Sequence, residues 1–321
     1  MSIAASIIIC TRDRAQSLRK TLEAIGNCEV PESLTAELVV VDNGSSDHTR
    51  QVVESAGLKN VPVRYVLEPQ PGQVHARNRG LGESRGAAAD GIVAFTDDDV
   101  QPATDWLRRL TDPILTGRAD GVCGAVRMAP HLERPWLQSW QRTVLACTDR
   151  FDAGQPVEMV GANMAMSAKV LRRVSGFDPE LGPGALGFGD DSLFSNQARE
   201  AGFRIVYEPA AVVVHHFDPS RLSRRQLLQT AEKQGRTWAY NDYHWVHKSV
   251  RHPLYHFVRA KLRLAWWTLR HCAQPRPDEG CALWEMDLRQ GVYYYDQWLK
   301  EMRRPRQYDR HGLIKRSMAV G

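Results

Sequence analysis

The stretch Ile92-Val93-Ala94-Phe95-Thr96-Asp97-Asp98-Asp99 joins a short apolar run to three consecutive carboxylates. The apolar run is typical of a buried strand. Adjacent carboxylates repel one another unless a cation or ordered donors offset their charge. Mg²⁺ and Mn²⁺ take carboxylate oxygens and add substrate phosphates to their shell. Because an Asp-x-Asp spacing on an extended chain puts both side chains on one side, the stretch predicts a metal site at a strand end. The alternative is a solvated acidic turn.

Upstream of this stretch, short apolar runs alternate with segments of helical periodicity. Strands are predicted at 6–10, 37–41, 63–67 and 92–95, and helices at 15–25, 46–56 and 77–89. This alternation is typical of βαβ units, so we expect an α/β fold with a mixed, mainly parallel sheet flanked by helices. Ligands bind beyond the carboxyl ends of such strands. Polar clusters lie at those positions, at 11–14, 42–47 and 97–99.

The pattern loosens downstream. Strands are predicted at 121–128, 159–167 and 204–214, and helices at 169–174 and 190–201. Residues 182–189 are rich in Gly and Pro and predict a loop. Beyond residue 218 the segments are helical, with breaks at Pro253 and around 274–280. We therefore divide the chain into a catalytic domain, 1–218, with halves at 1–100 and 101–218, and a helical C-terminal extension, 219–321.

The composition excludes several classes of protein. With 321 residues, 43% hydrophobic and 25% charged, the chain is globular rather than disordered or collagen-like. It has no run of about 20 apolar residues for a membrane span, and its apolar start is too short for a signal-peptide core. Six scattered cysteines without a Cys-x-x-Cys pair are weak evidence for disulfides or zinc. We therefore expect a cytoplasmic protein.

The charge is distributed unevenly. Residues 1–220 carry 22 basic and 28 acidic side chains, whereas residues 221–321 carry 20 basic and 9 acidic ones. The second segment also holds six of the nine Trp and seven of the nine Tyr. An acidic body with a basic, aromatic C-terminal segment indicates that the two parts have different partners.

Seven motifs give the chain a family resemblance. In the first half they are Ser6-Ile7-Ile8-Ile9-Cys10-Thr11-Arg12-Asp13-Arg14, Val39-Val40-Val41-Asp42-Asn43-Gly44-Ser45-Ser46-Asp47, His75-Ala76-Arg77-Asn78-Arg79-Gly80-Leu81 and Phe95-Thr96-Asp97-Asp98-Asp99. In the second half they are Gly161-Ala162-Asn163-Met164-Ala165, Gly176-Phe177-Asp178 and Gly189-Asp190-Asp191-Ser192-Leu193, followed by a strand ending in His215. Together they resemble the family 2 glycosyltransferases, which have the GT-A fold, over residues 4–240. Each motif alone is weak, but their common order makes the resemblance specific.

The resemblance implies roles for individual residues. The nucleotide-sugar site would comprise Thr11, Arg14, Asp42, Arg77, Asp97 and Asp98. The metal would be bound by Asp99 and His215, with Asp97 beside it. The general base would be Asp191, and Asn163 would lie on the acceptor side. A metal stabilises the charge that develops on a departing diphosphate, and a carboxylate base on the opposite face deprotonates an acceptor hydroxyl.

Two departures from the family pattern affect these roles. The family often has Asn where this chain has Asp13, so a contact in the first loop is expected to differ. The catalytic pair is usually Glu-Asp, whereas here it is Asp190-Asp191. Adjacent carboxylates raise one pKa, which suits a base. We favour Asp191, and Asp190 is either a metal- or acceptor-facing group or an N-cap of the following helix.

Three further side chains allow alternative interpretations. His215 and His216 point to opposite faces of a strand, and the alternation from Pro209 favours His215 as the ligand. Neutral imidazole suits Mn²⁺ better than Mg²⁺, so Mn²⁺ is the favoured cofactor. Trp106 follows the Asp triplet and either covers the acceptor sugar or anchors a helix in the core.

The C-terminal segment has its own amphipathic pattern. Residues 254–270 place an apolar stripe on one side of a helix and Arg259, Arg263 and Arg270 on another. Such a helix either lies on an anionic membrane surface or packs against the catalytic domain or a second subunit, so a homodimer is left open. Single-stranded nucleic acid also attracts basic and aromatic residues, but no nucleic-acid motif is present and we expect none to bind.

The sequence thus predicts a metal-dependent, inverting glycosyltransferase that moves a sugar from a nucleotide donor, a UDP-sugar being favoured, to a hydroxyl acceptor. The acceptor is expected to be a glycan or lipid-linked intermediate of polysaccharide or glycolipid biosynthesis at the inner face of a membrane. The alternative from another class is a catalytically silent sugar-nucleotide-binding or scaffold protein with the same fold.

Overall fold

The computed structural model describes residues 2–148, 151–152, 157–174, 176–274 and 276–316. It contains two compact units, the first formed by Met1–Pro179 with Asp190–Phe217 and the second by Glu180–Gly189 with Asp218–Gly321. No helix in the described residues has both the length and the apolar character that crossing a bilayer requires.

The first unit is built on one sheet of eight strands. The strands are β1 (Ile3–Thr11), β2 (Leu34–Asp42), β3 (Val63–Leu67), β4 (Ile92–Asp97), β5 (Val100–Pro102), β6 (Gly121–Met128), β7 (Asn163–Ser167) and β8 (Ile205–His215). Their order across the sheet is β3-β2-β1-β4-β7-β6-β8-β5. Strands β1 to β4 pair in parallel, β7 runs antiparallel to β4 and β6, and β8 pairs with β6 in parallel and with β5 antiparallel. The expected mixed, mainly parallel α/β fold is confirmed.

Helices cover the sheet and connect its strands. In the first unit they are α1 (Ala15–Gly26), α2 (Thr49–Glu54), α3 (Gln73–Glu83), α4 (Arg85–Ala88), α5 (Trp106–Leu115), α6 (Ser139–Val144), α7 (Ala168–Leu171) and α8 (Asp190–Glu200). Buried side chains from opposite faces of the sheet form two hydrophobic clusters. In β1, for example, Ile7 and Ile9 belong to one cluster and Ile8 to the other, which is the alternation that a strand imposes.

Two local predictions differ from the structure. The helix expected over 77–89 is two helices, because Ser84 is extended (ψ 129°) and its hydroxyl caps α4 by accepting from Ala87 N. The three carboxylates 97–99 do not continue an extended strand. Asp97 ends β4, and Asp98 and Asp99 form a tight turn into β5. The turn nevertheless leaves Asp97 and Asp99 close together.

The second unit is helical. It contains α9 (Arg224–His244), α10 (Pro253–Arg270) and α11 (Leu283–Glu301). Within it, Arg224 pairs with Glu285 and Arg289 pairs with Glu232, which ties α9 to α11. The expected helix break at 274–280 lies between α10 and α11; Pro275 within it is outside the described residues.

Trp106 and Asn163 form a buried polar junction in the first unit. Both side chains are fully buried. Trp106 Nε1 donates to Asn163 Oδ1 at 2.8 Å, and Asn163 Nδ2 donates to the carbonyls of Ala125 at 2.9 Å and Ala211 at 2.7 Å. One amide group therefore joins β6, β7, β8 and α5.

We expect Trp106→Phe to lower the free energy of unfolding by about 1–3 kcal/mol, because it leaves the buried Asn163 oxygen without its donor. The matched control is Trp266→Phe on the exposed face of α10, which should change stability by less than about 0.5 kcal/mol. Denaturant unfolding of both variants measures the difference. Equal effects would show that the buried hydrogen bond contributes nothing.

Candidate active site

Two carboxylates and one imidazole meet at the end of β4. In the described residues, the cluster able to hold a metal ion comprises Asp97, Asp99 and His215, each offering a ligand atom within 4.8 Å of the others. His215 Nε2 lies 3.1 Å from Asp99 Oδ1. His215 is the last residue of β8 and is buried. It pairs with Val100, the first residue of β5, which follows Asp99 directly in the sequence. Strand pairing therefore brings together residues that are more than 100 positions apart.

The chemistry of this cluster fits a divalent cation. Burial and the neighbouring Asp99 raise the pKa of Asp97, so the site favours an added positive charge. The buried Nδ1 of His215 has no hydrogen-bond partner among the described residues, and carboxylates with imidazole are common donors to Mn²⁺. The ring of His216 lies elsewhere and stacks on His131, with 5.6 Å between ring centroids. Its main-chain N–H donates to the carbonyl of Asp99 at 2.7 Å, which fixes the turn.

Asp98 is held differently from its two neighbours. Its carboxylate accepts from Thr11 Oγ1 at 2.6 Å and from Arg14 Nη1 at 3.0 Å. Arg14 also donates to Asp99 at 3.0 Å. Burial raises the pKa of Asp98 to about 6, against the opposing effect of Arg14. Thr11 and Arg14 therefore brace the turn from the first polar loop.

The first and second polar loops are bonded to each other. Asp13 has a left-handed backbone (φ 53°), which Asn and Asp tolerate better than most residues. Its Oδ1 accepts from the main-chain N–H of Ser46 at 2.7 Å, a contact that an Asn oxygen can also make.

Asp42, at the end of β2, is buried and accepts from Tyr65 Oη at 2.9 Å and from Ser45 N at 2.8 Å.

A buried arginine connects the cluster of Asp97, Asp99 and His215 to the start of α8. The guanidinium of Arg77, on α3, pairs with Asp190, and its Nη2 lies 4.0 Å from Asp97 Oδ1. Its face lies over the ring of Phe177, 5.6 Å from the centroid. A Cβ atom at Gly161 would overlap this guanidinium. Position 161 therefore requires glycine, because the guanidinium of Arg77 occupies the space that a side chain at this position would fill.

Asp191 is the partly exposed member of the pair at the start of α8. Its Oδ2 accepts from the main-chain N–H of Gly161 at 3.0 Å, and its Oδ1 accepts from the N–H of Ser192 at 2.8 Å. Burial and the charge of Asp190 raise the pKa of Asp191 to about 6. Of the two carboxylates, Asp190 forms the ion pair with Arg77, whereas Asp191 is partly accessible. The raised pKa of Asp191 suits a base that works near neutral pH.

The structure thus brings Asp97, Asp99 and His215 into one cluster, braces it through Asp98, and links it to Asp190 through Arg77. The two side chains expected near the acceptor, Trp106 and Asn163, are fully buried and bond each other. Their observed contacts are structural, and neither side chain presents an atom to solvent.

Several residues that support the site do not stand out in the sequence. Tyr65, which bonds Asp42, lies in none of the quoted motifs, and Phe177 lies in the motif Gly176-Phe177-Asp178, which gives no sign of its contact with Arg77. Glu158, whose carboxylate accepts from Ser192 Oγ at 2.8 Å, is also unmarked. Gly161 did belong to a recognised motif, but its two roles, leaving space for Arg77 and donating to Asp191, appear only in three dimensions.

Comparison with known proteins identifies the family of the chain. Residues 6–175 match the family model described as "Glycosyl transferase family 2", and residues 92–295 match "Glycosyl transferase family group 2". The succinoglycan biosynthesis protein ExoM of Rhizobium meliloti is 30% identical, over 71% of this chain and 72% of its own length. The glycosyltransferase AglE of Haloferax volcanii is 27% identical, over 73% of both chains.

Solved structures share the fold at low sequence identity. The mannosyltransferase PcManGT from Pyrobaculum calidifontis, in complex with GDP-Man and Mn²⁺, has a TM-score of 0.61 at 19% identity, covering 93% of this chain and 88% of its own. A fragment of S. aureus TarS in complex with UDP-GlcNAc has a TM-score of 0.52 at 17% identity, covering 85% and 74%.

The fold and the matched family models define a glycosyltransferase of the GT-A type. The chain belongs to glycosyl transferase family 2. The family expected from the seven motifs is confirmed.

We expect Arg77→Met to lower the free energy of unfolding by about 3–5 kcal/mol, because it leaves the buried Asp190 carboxylate without its partner. Arg79→Met is the matched control, since Arg79 is on the same helix but exposed, in an ion pair with Glu83, and should cost less than about 1 kcal/mol. Denaturant unfolding measures both. Indistinguishable values would contradict a structural role for the Arg77–Asp190 pair.

Proposed function

We propose that this protein is an inverting, metal-dependent transferase that moves a sugar from a nucleotide donor to a hydroxyl acceptor. The observation that carries the proposal is the position of Arg77, which contacts both Asp97 of the metal cluster and Asp190 beside Asp191. A cation site and an accessible carboxylate with a raised pKa thus lie on either side of one guanidinium. This is the arrangement that displacement of a diphosphate by a hydroxyl needs.

In this proposal Asp97, Asp99 and His215 hold a divalent cation, for which Mn²⁺ is favoured. When bound, the cation supplies Lewis-acid stabilisation of the charge on the departing diphosphate. Thr11, Arg14, Asp42 and Asp98 form the rest of the nucleotide-sugar site. The bonds from Thr11 and Arg14 to Asp98 hold the first loop against the Asp97–Asp99 turn, and the bond from Ser46 to Asp13 holds the second loop against the first, before the donor arrives.

Asp191 is the proposed general base. Two main-chain N–H groups fix its orientation, and its raised pKa makes it a better proton acceptor than an ordinary aspartate. It takes the proton of the acceptor hydroxyl while that oxygen attacks the anomeric carbon, and the bond to the diphosphate breaks in the same displacement. One displacement inverts the anomeric configuration. Arg77 acts as a positioning residue, because it holds Asp190 at the start of α8 and leaves Asp191 as the available carboxylate.

We propose a chemical class, rather than a particular compound, for the donor and for the acceptor. The family resemblance favours a UDP-sugar, and solved neighbours of the same fold were crystallised with GDP-Man and with UDP-GlcNAc. The name of ExoM supports a polysaccharide intermediate as acceptor, either free or lipid-linked. We further propose that residues 1–218 carry the chemistry, with the donor in the first 100 residues, and that residues 219–321 determine where the enzyme acts.

Removing one metal ligand should weaken cation binding. We expect Asp99→Asn and His215→Gln each to reduce the affinity for Mn²⁺ in the presence of UDP by at least about tenfold, as measured by calorimetry. Asp112→Asn, which changes an exposed carboxylate on α5, is the control and should bind as the wild type does. A wild-type protein that binds no Mn²⁺, or ligand variants that bind normally, would refute the assignment.

The rate of transfer should depend on the ionisation of Asp191. A base must be deprotonated, so the rate should fall about tenfold per pH unit below about pH 6 and be level above it. Asp191→Asn should lower the rate by about 10²–10⁴-fold.

The control for this pH profile is Asp98→Asn, because burial also raises the pKa of Asp98 to about 6. This variant must keep the acid limb if Asp191 causes it. A second variant, Asp191→Glu, should shift the midpoint of the limb if Asp191 is the group that ionises. If Asp98→Asn loses the acid limb while Asp191→Glu keeps it at an unchanged midpoint, the ionising group is Asp98, and the role of Asp191 as the base is contradicted.

A donor screen separates the enzyme from a silent binding protein. UDP-, GDP- and dTDP-sugars are supplied with Mn²⁺ and a membrane extract, and nucleotide release is measured. We expect release from a UDP-sugar, with a product whose anomeric configuration is opposite to that of the donor by NMR. Retention of configuration would exclude single displacement, and the absence of release from every donor would exclude the enzyme.

A further inference from the structure

Helix α10 presents an unusually apolar surface to solvent. None of its 18 residues is buried. Its exposed side chains include Leu254, Val258, Leu262, Trp266 and Leu269, with exposed fractions of 61%, 47%, 66%, 53% and 71%. The spacing of three and four residues aligns them in one stripe along the helix. Scattered apolar residues on a surface are ordinary, but a continuous stripe of large ones marks an interaction site.

The opposite face of α10 already has a partner. His256 stacks on Tyr295 of α11, with 5.3 Å between the ring centroids. The ring centroid of Trp267 lies 5.7 Å from that of Trp284, which is also in α11. The helix is therefore anchored to its own unit through one side. In the part of the chain that the structure describes, nothing covers the stripe on the other side.

The charges around the stripe have one sign. Between Tyr243 and Pro277 the sequence contains no Asp or Glu and seven basic residues: Lys248, Arg251, Arg259, Lys261, Arg263, Arg270 and Arg276. At 100° per residue, Arg259, Arg263 and Arg270 border the stripe on one side and Lys261 borders it on the other. Arg270 also lies over the indole of Trp266, 5.2 Å from the ring centroid. The surface is thus an apolar strip with a cationic margin on both sides.

We propose that the apolar stripe of α10 docks on an anionic phospholipid bilayer. The leucines, the valine and Trp266 insert at the boundary of headgroups and acyl chains, where indole rings are favoured. The flanking arginines and lysine reach the lipid phosphates, and their aliphatic stems cover apolar surface. The helix lies in the plane of the membrane, because its opposite face remains packed on α11.

Charge complementarity distinguishes a bilayer from a second copy of the chain. Symmetric pairing of two stripes would bring the same surface of each copy together. The cationic margins of the two helices would then face each other with no carboxylate on either helix to offset them. An anionic lipid surface supplies the missing negative charge along the whole length of the stripe.

The experiment measures co-sedimentation of the full chain with vesicles of phosphatidylcholine alone and of an equimolar mixture with phosphatidylglycerol. We expect binding to the mixed vesicles that weakens with added salt, and at most weak binding to the neutral ones. The combined variant Leu262→Ser, Trp266→Ser and Leu269→Ser should lose at least about a hundredfold in partition constant. Arg259→Gln, Arg263→Gln and Arg270→Gln together should lose about a hundredfold on the mixed vesicles.

Two matched controls carry the same chemical changes elsewhere. Trp238→Ser, Met302→Ser and Ile314→Ser alter exposed apolar residues away from α10. Arg19→Gln, Arg303→Gln and Arg310→Gln remove three exposed positive charges that are not part of α10. Both controls should bind within about twofold of the wild type, because they leave the apolar stripe of α10 and its basic margins unchanged. Circular dichroism and thermal unfolding confirm that each variant is folded.

Three outcomes overturn the proposal. The first is a wild-type protein that binds neither kind of vesicle. The second is a stripe variant that binds as well as its control. The third is a wild-type dimer in light scattering without vesicles that the stripe substitutions dissociate, which makes the stripe an interface between copies. None of these measurements requires glycosyl transfer, so the proposal and the proposed function fail independently.

Discussion

The crowding of carboxylates at one edge of the sheet is the constraint on which the rest of the first unit depends. Asp97, Asp98 and Asp99 lie together at the end of β4, and Asp190 and Asp191 begin α8 nearby. Such a concentration of negative charge is unstable unless cations offset it. The protein places Arg14 on one side of the turn and Arg77 between Asp97 and Asp190. The two arginines do not offset all of this negative charge. What remains can bind a divalent cation and can accept a proton.

The packing of the first unit serves this arrangement. Arg77 requires the absence of a side chain at Gly161, and the N–H of that same glycine fixes Asp191. The junction of Trp106 with Asn163 ties β7 to β6 and β8, and β8 ends in His215. A change in any of these core contacts is therefore expected to alter the positions of Asp97, Asp191 and His215.

Much of the fold and part of the site followed from the sequence, because strands and polar loops are local patterns. The alternation of β1 to β4 with helices and the polar clusters at their carboxyl ends are examples. Long-range pairs were not predictable in this way: Arg77 and Asp190 are 113 residues apart, and no periodicity marks them as partners. The stripe on α10 shows a second limit. Both faces of that helix carry apolar residues, so the sequence indicated amphipathicity without showing which face packs on α11.

In the proposed function, Asp97, Asp99 and His215 form the cation site of a nucleotide-sugar transferase. Anomalous X-ray scattering from a crystal of the protein grown with Mn²⁺ and UDP tests it most directly. We expect one strong manganese peak within coordination distance of all three side chains, in contact with the diphosphate. A diphosphate bound without manganese, or a manganese peak away from His215, would contradict it.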